Sequence, residues 1–154
     1  MANVKPIPDG YHSITPYLII KGAAKAIDYY KKAFGATEIM RMAGPDGTVG
    51  HAELKIGDSI FMMGDEMPQM GYRAPQGSVP VGLMLYVDDV DRVFKQAIDA
   101  GGRVDKELQD QFYGDRSGTF YDPFGHMWTV ATHKEDVSPE EMKKRMAKYM
   151  AEHK

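Results

Sequence analysis

The chain has no cysteine at all. That removes a disulfide framework, a thiolate nucleophile and a cysteine-held zinc from consideration, and it suits a reducing cytoplasm, which is the expected location. No stretch approaches the ~20 apolar residues of a membrane span. The opening MANVKPIPDGYHS lacks the basic start and apolar core of a signal peptide, so no membrane partner is expected. A net charge of −3 leaves no electrostatic footprint for nucleic acid. The one dense basic stretch, Lys143-Lys144-Arg145, is offset by acidic neighbours and reads as a solvated helix face. There is no glycine-rich phosphate loop and no serine in a nucleophile-elbow context.

What remains is a composition of 43% hydrophobic and 27% charged residues over 154 positions, typical of one soluble globular domain. Within it the chain repeats itself. The run Ile20-Lys21-Gly22-Ala23-Ala24-Lys25-Ala26-Ile27 lies over Val87-Asp88-Asp89-Val90-Asp91-Arg92-Val93-Phe94, and Gly35 falls on Gly102 at the same offset. Each copy reads strand, helix, then three strands.

In the first copy, Thr15 to Ile20 predicts a strand, and Ala23, Ala26, Ile27, Tyr30 and Phe34 form the stripe of an amphipathic helix stopped by Gly35. Strands are expected over Thr37 to Met42, Val49 to Ile56 and Ser59 to Met63, with turns at residues 44–47 and at Gly57-Asp58. The second copy predicts a strand over Val81 to Val87 and a helix capped by Asp88 or Asp89 with the stripe Val90, Val93, Phe94, Ala97 and Ile98. Three shorter strands then run to about Ala131. Ser138, Pro139 and Glu141 open a last helix by N-cap, N1 and capping-box rules, with Met142, Met146, Tyr149 and Met150 on one face.

The fold expected is therefore α+β in one domain, residues 1–154. Module one spans about 12–66, a linker 67–78, module two about 79–134, and a C-terminal helix about 138–151. Two tandem βαβββ modules would form a curved mixed-sheet groove with helices on its outer face.

The repeat, the VDDVD before the second helix and the DPFGHMW before the last strand resemble the vicinal oxygen chelate superfamily, which includes glyoxalases, bleomycin-resistance proteins, fosfomycin-resistance enzymes and extradiol dioxygenases. ITPYLIIKGAAKAIDYYKKAFGA, HAELKIGD, DQFYGDRSG and DPFGHMWTVATH resemble its PhnB-like branch, over about residues 12–134. The resemblance implies a homodimer and a small-molecule site where the modules meet. It also implies four metal-ligand positions, which fall here on Thr15, Phe61, Gly82 and Thr129. A neutral threonine oxygen is a weak ligand, and phenylalanine and glycine offer none. No cofactor is expected on that ground, with a divalent metal as the alternative.

Strand alternation sends Ala52, Leu54 and Ile56 to one face and His51, Glu53 and Lys55 to the other, with His51 and Glu53 about 7 Å apart along the strand. That second face is a solvated surface, a set of polar contacts that orient a ligand, or a relocated site. In the last case Glu53 is the candidate acid/base, or His51, Glu53 and His133 hold a metal, while His126 sits in a turn. The groove is expected to be lined by Tyr17 and Ile19, Phe61 and Met63, Met84 and Tyr86, and Met127 and Thr129. A closed core between halves or subunits is the equal alternative. Gln111 and Tyr113 add polar groups. Arg116 either forks onto a ligand anion or pairs with Asp115 or Asp122. The function expected is binding of a small organic molecule in the inter-module groove without metal. The alternative is a lyase, isomerase or transferase on a vicinal-oxygen substrate, using a relocated metal or Glu53; a third possibility is action through the surface or the C-terminal helix.

Overall fold

The computed structural model describes residues 4–153. Its first elements are β1 (Tyr17–Ile20), α1 (Ala23–Phe34), β2 (Thr37–Ala43), β3 (Val49–Ile56) and β4 (Ser59–Asp65). A short 3-10 turn, Pro68–Met70, follows. Then come β5 (Gly82–Tyr86), α2 (Val90–Asp99), β6 (Arg103–Asp110), β7 (Asp115–Tyr121), β8 (Met127–His133) and α3 (Pro139–Glu152). The strands form two four-stranded mixed sheets, ordered β1-β4-β3-β2 and β5-β8-β7-β6. In each, the first strand pairs in parallel with the last, and the other pairings are antiparallel. This is the expected βαβββ plan made twice, with a C-terminal helix added.

Two compact units result. Unit 1 takes the chain as far as Val79 and, in addition, Pro123–Gly125; unit 2 takes Pro80–Asp122 and the chain from His126 onward. In unit 1, α1 lays Ala23, Ala26, Ile27 and Tyr30 against the sheet, all fully buried. Its C-terminus is closed by Gly35 in the left-handed region, φ 66°, whose N–H donates to the Lys31 carbonyl. The N-terminus has no side-chain cap of its own. Instead Asp65, at the end of β4, accepts from the N–H groups of Gly22 (2.9 Å) and Ala23 (2.8 Å) through one oxygen. Its other oxygen takes the N–H of Val49 at 2.8 Å. Phe124, from the DPFG turn, sets its ring against those of Tyr29 and Tyr30, at centroid distances of 6.2 and 6.5 Å.

In unit 2, Val90, Val93, Phe94 and Ala97 of α2 cover the second sheet. Phe94 fits over Gly118, where a Cβ would come within 2.6 Å of the ring. Asp89 caps α2 as expected, accepting from Arg92 N–H at 3.1 Å. The buried Asp122 accepts from Trp128 Nε1 (2.9 Å) and from His126 N–H (3.0 Å), which gives the DPFGHMW run its structural role. Ser138 caps α3 through Glu141 N–H at 3.2 Å, while the Glu141 carboxylate receives Arg145. α3 buries no residue of its expected stripe; Met146 and Met150 are exposed.

The boundaries differ from expectation in a few places. Thr15 precedes β1, Val87 follows β5, and β8 continues two residues past Ala131 to His133. The expected linker, residues 67–78, contains the 3-10 turn and a bridge between Met67 and Tyr72. Among the described residues no helix is long and apolar enough to cross a membrane.

Candidate functional site

Each sheet has one face under a helix and one face free of it. Strand register identifies which residues share the free face of unit 1. Tyr17 lies beside Met62, Ile19 beside Gly64, Glu53 opposite Met62 and Met40, and His51 opposite Met42. Phe61 does not belong to this set. It lies opposite Leu54, is buried, and meets the Tyr30 ring of α1 edge-on at 5.5 Å. Met63, opposite Ala52, is likewise wholly buried under the helix. Both were expected on the free face. The run Ser59 to Met63 is apolar nearly throughout, so alternation left its facing undetermined; Met62 takes the place assigned to Phe61.

On that free face three side chains form a hydrogen-bonded series. Glu53 Oε2 lies 3.1 Å from His51 Nε2, and His51 Nδ1 lies 3.2 Å from the Tyr17 hydroxyl. The Tyr17 and His51 rings sit 5.6 Å apart, tilted. Glu53 is the most enclosed of the pair, its side chain 13% exposed against 26% for His51. Loss of solvent, and to a lesser degree Tyr72, raises the Tyr17 phenol above its usual value. Gly64 makes room for this phenol, since a Cβ there would stand 2.8 Å from the Gly50 carbonyl and 3.0 Å from the Tyr17 hydroxyl. Tyr17 also forms the wall of a cavity of about 400 Å³ with Ile19, Gly50, Asp65, Met67, Met70 and Tyr72. Met67, Met70 and Tyr72 come from the expected linker and were missed. Their signal was three large apolar side chains in an otherwise polar, turn-rich stretch.

The free face of unit 2 carries Met84 beside Thr129, Gly82 beside Met127 and Tyr86 beside Ala131. Here the buried Asp115 is the centre. It accepts from the Tyr86 hydroxyl at 2.8 Å and pairs with His133 Nδ1 at 2.7 Å, while His133 Nε2 reaches Asp136 at 2.7 Å. Asp115 first and Asp136 second raise the His133 imidazole above its ordinary value of 6.5. Gln111 donates to Ser117 at 3.1 Å, and Tyr113 packs edge-on against Phe112. Arg116 is held by both oxygens of Asp91, at 2.8–3.2 Å, and more loosely by Asp110. The ion-pair reading is thus correct in kind, but the partner lies on α2 rather than at Asp115 or Asp122.

The Glyoxalase/Bleomycin resistance protein/Dioxygenase superfamily model matches residues 11–130. The chain belongs to this superfamily. Among curated proteins, this superfamily member is 40% identical over 150 residues to the uncharacterized protein Mb0911c of Mycobacterium bovis, covering 94% of this chain and 95% of that one. Among solved structures it is similar to PA1353 of Pseudomonas aeruginosa, at 28% identity and TM-score 0.67, over 80% of this chain and 99% of that one. TioX of Micromonospora sp. ML1 is 26% identical with TM-score 0.63, over 79% and 98%.

For a superfamily member, the residues at the metal-ligand positions do not fit a divalent ion. Gly82 has no side chain, and the Thr129 hydroxyl is engaged by that of Thr119 at 2.9 Å. The Thr15 hydroxyl donates to the His12 carbonyl at 3.2 Å, ahead of β1. Phe61 is buried under α1, and Met62, which replaces it on the free face, brings only a soft thioether. The alternative set fares no better. His51 already engages Glu53 and Tyr17, and both His133 nitrogens are committed to carboxylates. Among the described residues no group of three or more His, Asp or Glu side chains is gathered for a metal.

Proposed function

We propose that this protein binds a small organic molecule in the cavity on the free face of the unit 1 sheet, and does so without a metal. The observation that carries the reading is the cavity itself. About 400 Å³ lies within the range of small-molecule sites, and its walls are tyrosine, methionine and isoleucine with few polar groups. Methionines at 67 and 70 let such a wall adapt to ligand shape. Holding rather than converting the ligand agrees with the bleomycin-resistance side of the superfamily. The donor chemistry at Thr15, Met62, Gly82 and Thr129 supports metal independence. The stretches HAELKIGD and DPFGHMWTVATH support placement in the PhnB-like branch, and homodimer formation in the cytoplasm is part of the same proposal.

The test is thermal stabilisation by a panel of aromatic compounds, for the wild type and for Met70→Trp, which fills the cavity from an exposed position. Stabilisation of several degrees in the wild type and none in Met70→Trp is expected. Equal stabilisation of both proteins sinks the assignment. Metal content by plasma mass spectrometry, on protein purified without chelators, is expected well below one ion per chain; a near-stoichiometric ion sinks the metal-free part.

A further inference from the structure

We infer that Tyr17, His51 and Glu53 are a proton relay that ionises a hydroxyl group on the molecule held in the unit 1 cavity, which makes its ligands aromatic or enolic hydroxy compounds. The inference rests on the proposed cavity site and specifies its ligand class.

The direction of the hydrogen bonds leads to it. A carboxylate has no proton to give, so Glu53 accepts and His51 Nε2 carries the hydrogen. With the imidazole neutral, Nδ1 is then a bare lone pair, and the Tyr17 hydroxyl, 3.2 Å away, donates to it. The phenol has a single proton, and that proton is directed into the protein. Tyr17 is part of the cavity wall, and with that proton committed its oxygen has only lone pairs to offer a ligand. A ligand that hydrogen-bonds to this oxygen must therefore bring a donor.

An acidic hydroxyl meets this demand and does more. Its O–H bond breaks as the proton passes to the Tyr17 oxygen, and the Tyr17 O–H bond breaks as its own proton passes to His51 Nδ1. The products are a ligand oxyanion and an imidazolium beside the Glu53 carboxylate. Nothing is oxidised or reduced, and the tyrosine is left a phenol that now donates back to the oxyanion. The third group of the series thus orients and steadies the second, as a carboxylate does for histidine in nucleophilic triads. Lys55 shares the face of β3 with Glu53, two positions along the strand, and is exposed. Met40 and Met42 face Glu53 and His51 from β2 and carry no charge. Asp65 on the cavity wall is committed to three backbone N–H groups. Tyr72, also on the wall, adds a second phenol able to donate to the oxyanion.

The experiment uses 4-nitrophenol, whose anion is coloured, and nitrobenzene as its hydroxyl-free counterpart, at a pH below the ionisation midpoint of 4-nitrophenol in water. Binding is read by thermal shift and ionisation by absorbance, in the wild type and in Tyr17→Phe, His51→Gln and Glu53→Gln. Binding to the wild type is expected to raise the phenolate-to-phenol ratio roughly tenfold, equivalent to one pKa unit. Tyr17→Phe and His51→Gln should bind 4-nitrophenol without the colour, and Glu53→Gln should show a smaller rise. If 4-nitrophenol binds in its neutral form, or colours all four proteins equally, the relay is overturned and the cavity reading survives. If neither compound binds the wild type, the cavity reading falls and the relay falls with it.

Discussion

Two side chains expected to do the same job turn out to have opposite environments, and a single substitution at each separates them. Phe61 is 5% exposed and packed against Tyr30, whereas Met84 is 48% exposed. Phe61→Ala is expected to cost about 3–5 kcal/mol, because it opens a cavity under α1. Met84→Ala should change stability by only ~0.5 kcal/mol, as at an ordinary surface position. Urea unfolding monitored by circular dichroism checks both. His133 supplies a pH signature. Its folded-state pKa lies above the ordinary 6.5 because Asp115 and Asp136 hold the imidazolium. The protonated form is therefore favoured by folding. Its stabilising contribution is complete below about 6.5 and disappears as pH rises through the higher folded-state value. Melting temperatures measured from pH 5.5 to 8.5 should fall on the alkaline side in the wild type, and His133→Gln should remove that part of the fall.

At the scale of elements, periodicity revealed what it physically encodes and no more. β3 occupies Val49–Ile56 as expected, because polar and apolar residues alternate from His51 to Ile56. α1 and α2 appear where an apolar stripe and a local stop or cap signal coincide, at Gly35 and at Asp89. Local signals could not show that the cap of α1 is a carboxylate 42 residues further along the chain. Nor could they face an apolar strand such as β4, or reveal that a turn-rich stretch folds Met67, Met70 and Tyr72 into one wall with Tyr17. The His51 and Glu53 pairing was legible from alternation; its extension to Tyr17 needed the parallel register of β1 on β4. α3 is held differently from the other helices. Arg145 joins it to Glu135 through two bonds of 2.8 and 2.9 Å and to the Phe112 carbonyl at 3.2 Å, and Tyr149 lies against Phe112 at 5.0 Å. With no buried residue behind these contacts, Arg145→Ala should raise amide exchange across α3 at least about tenfold while β7 and β8 keep their protection.

At the scale of the whole chain, the division into units does not follow the division into modules. The DPFG turn belongs by sequence to the second module, yet Pro123–Gly125 is counted with unit 1, where Phe124 meets Tyr29 and Tyr30. Phe124→Ala should therefore perturb the amide resonances of α1, at a cost of about 1–2 kcal/mol from two ring contacts. Resonance changes confined to β7 and β8 would contradict this. Asp65 has a different kind of consequence, one of lifetime. Its three N–H partners lie 43, 42 and 16 positions away along the chain, so it is satisfied only after the start of α1, the start of β3 and the end of β4 have met. A contact that closes last leaves the rate of folding nearly untouched and governs how soon the folded chain opens. Removing about 2 kcal/mol with Asp65→Ala should leave refolding nearly as fast as before and make the native state come apart roughly thirtyfold sooner, so that this one carboxylate acts as a clock on unit 1.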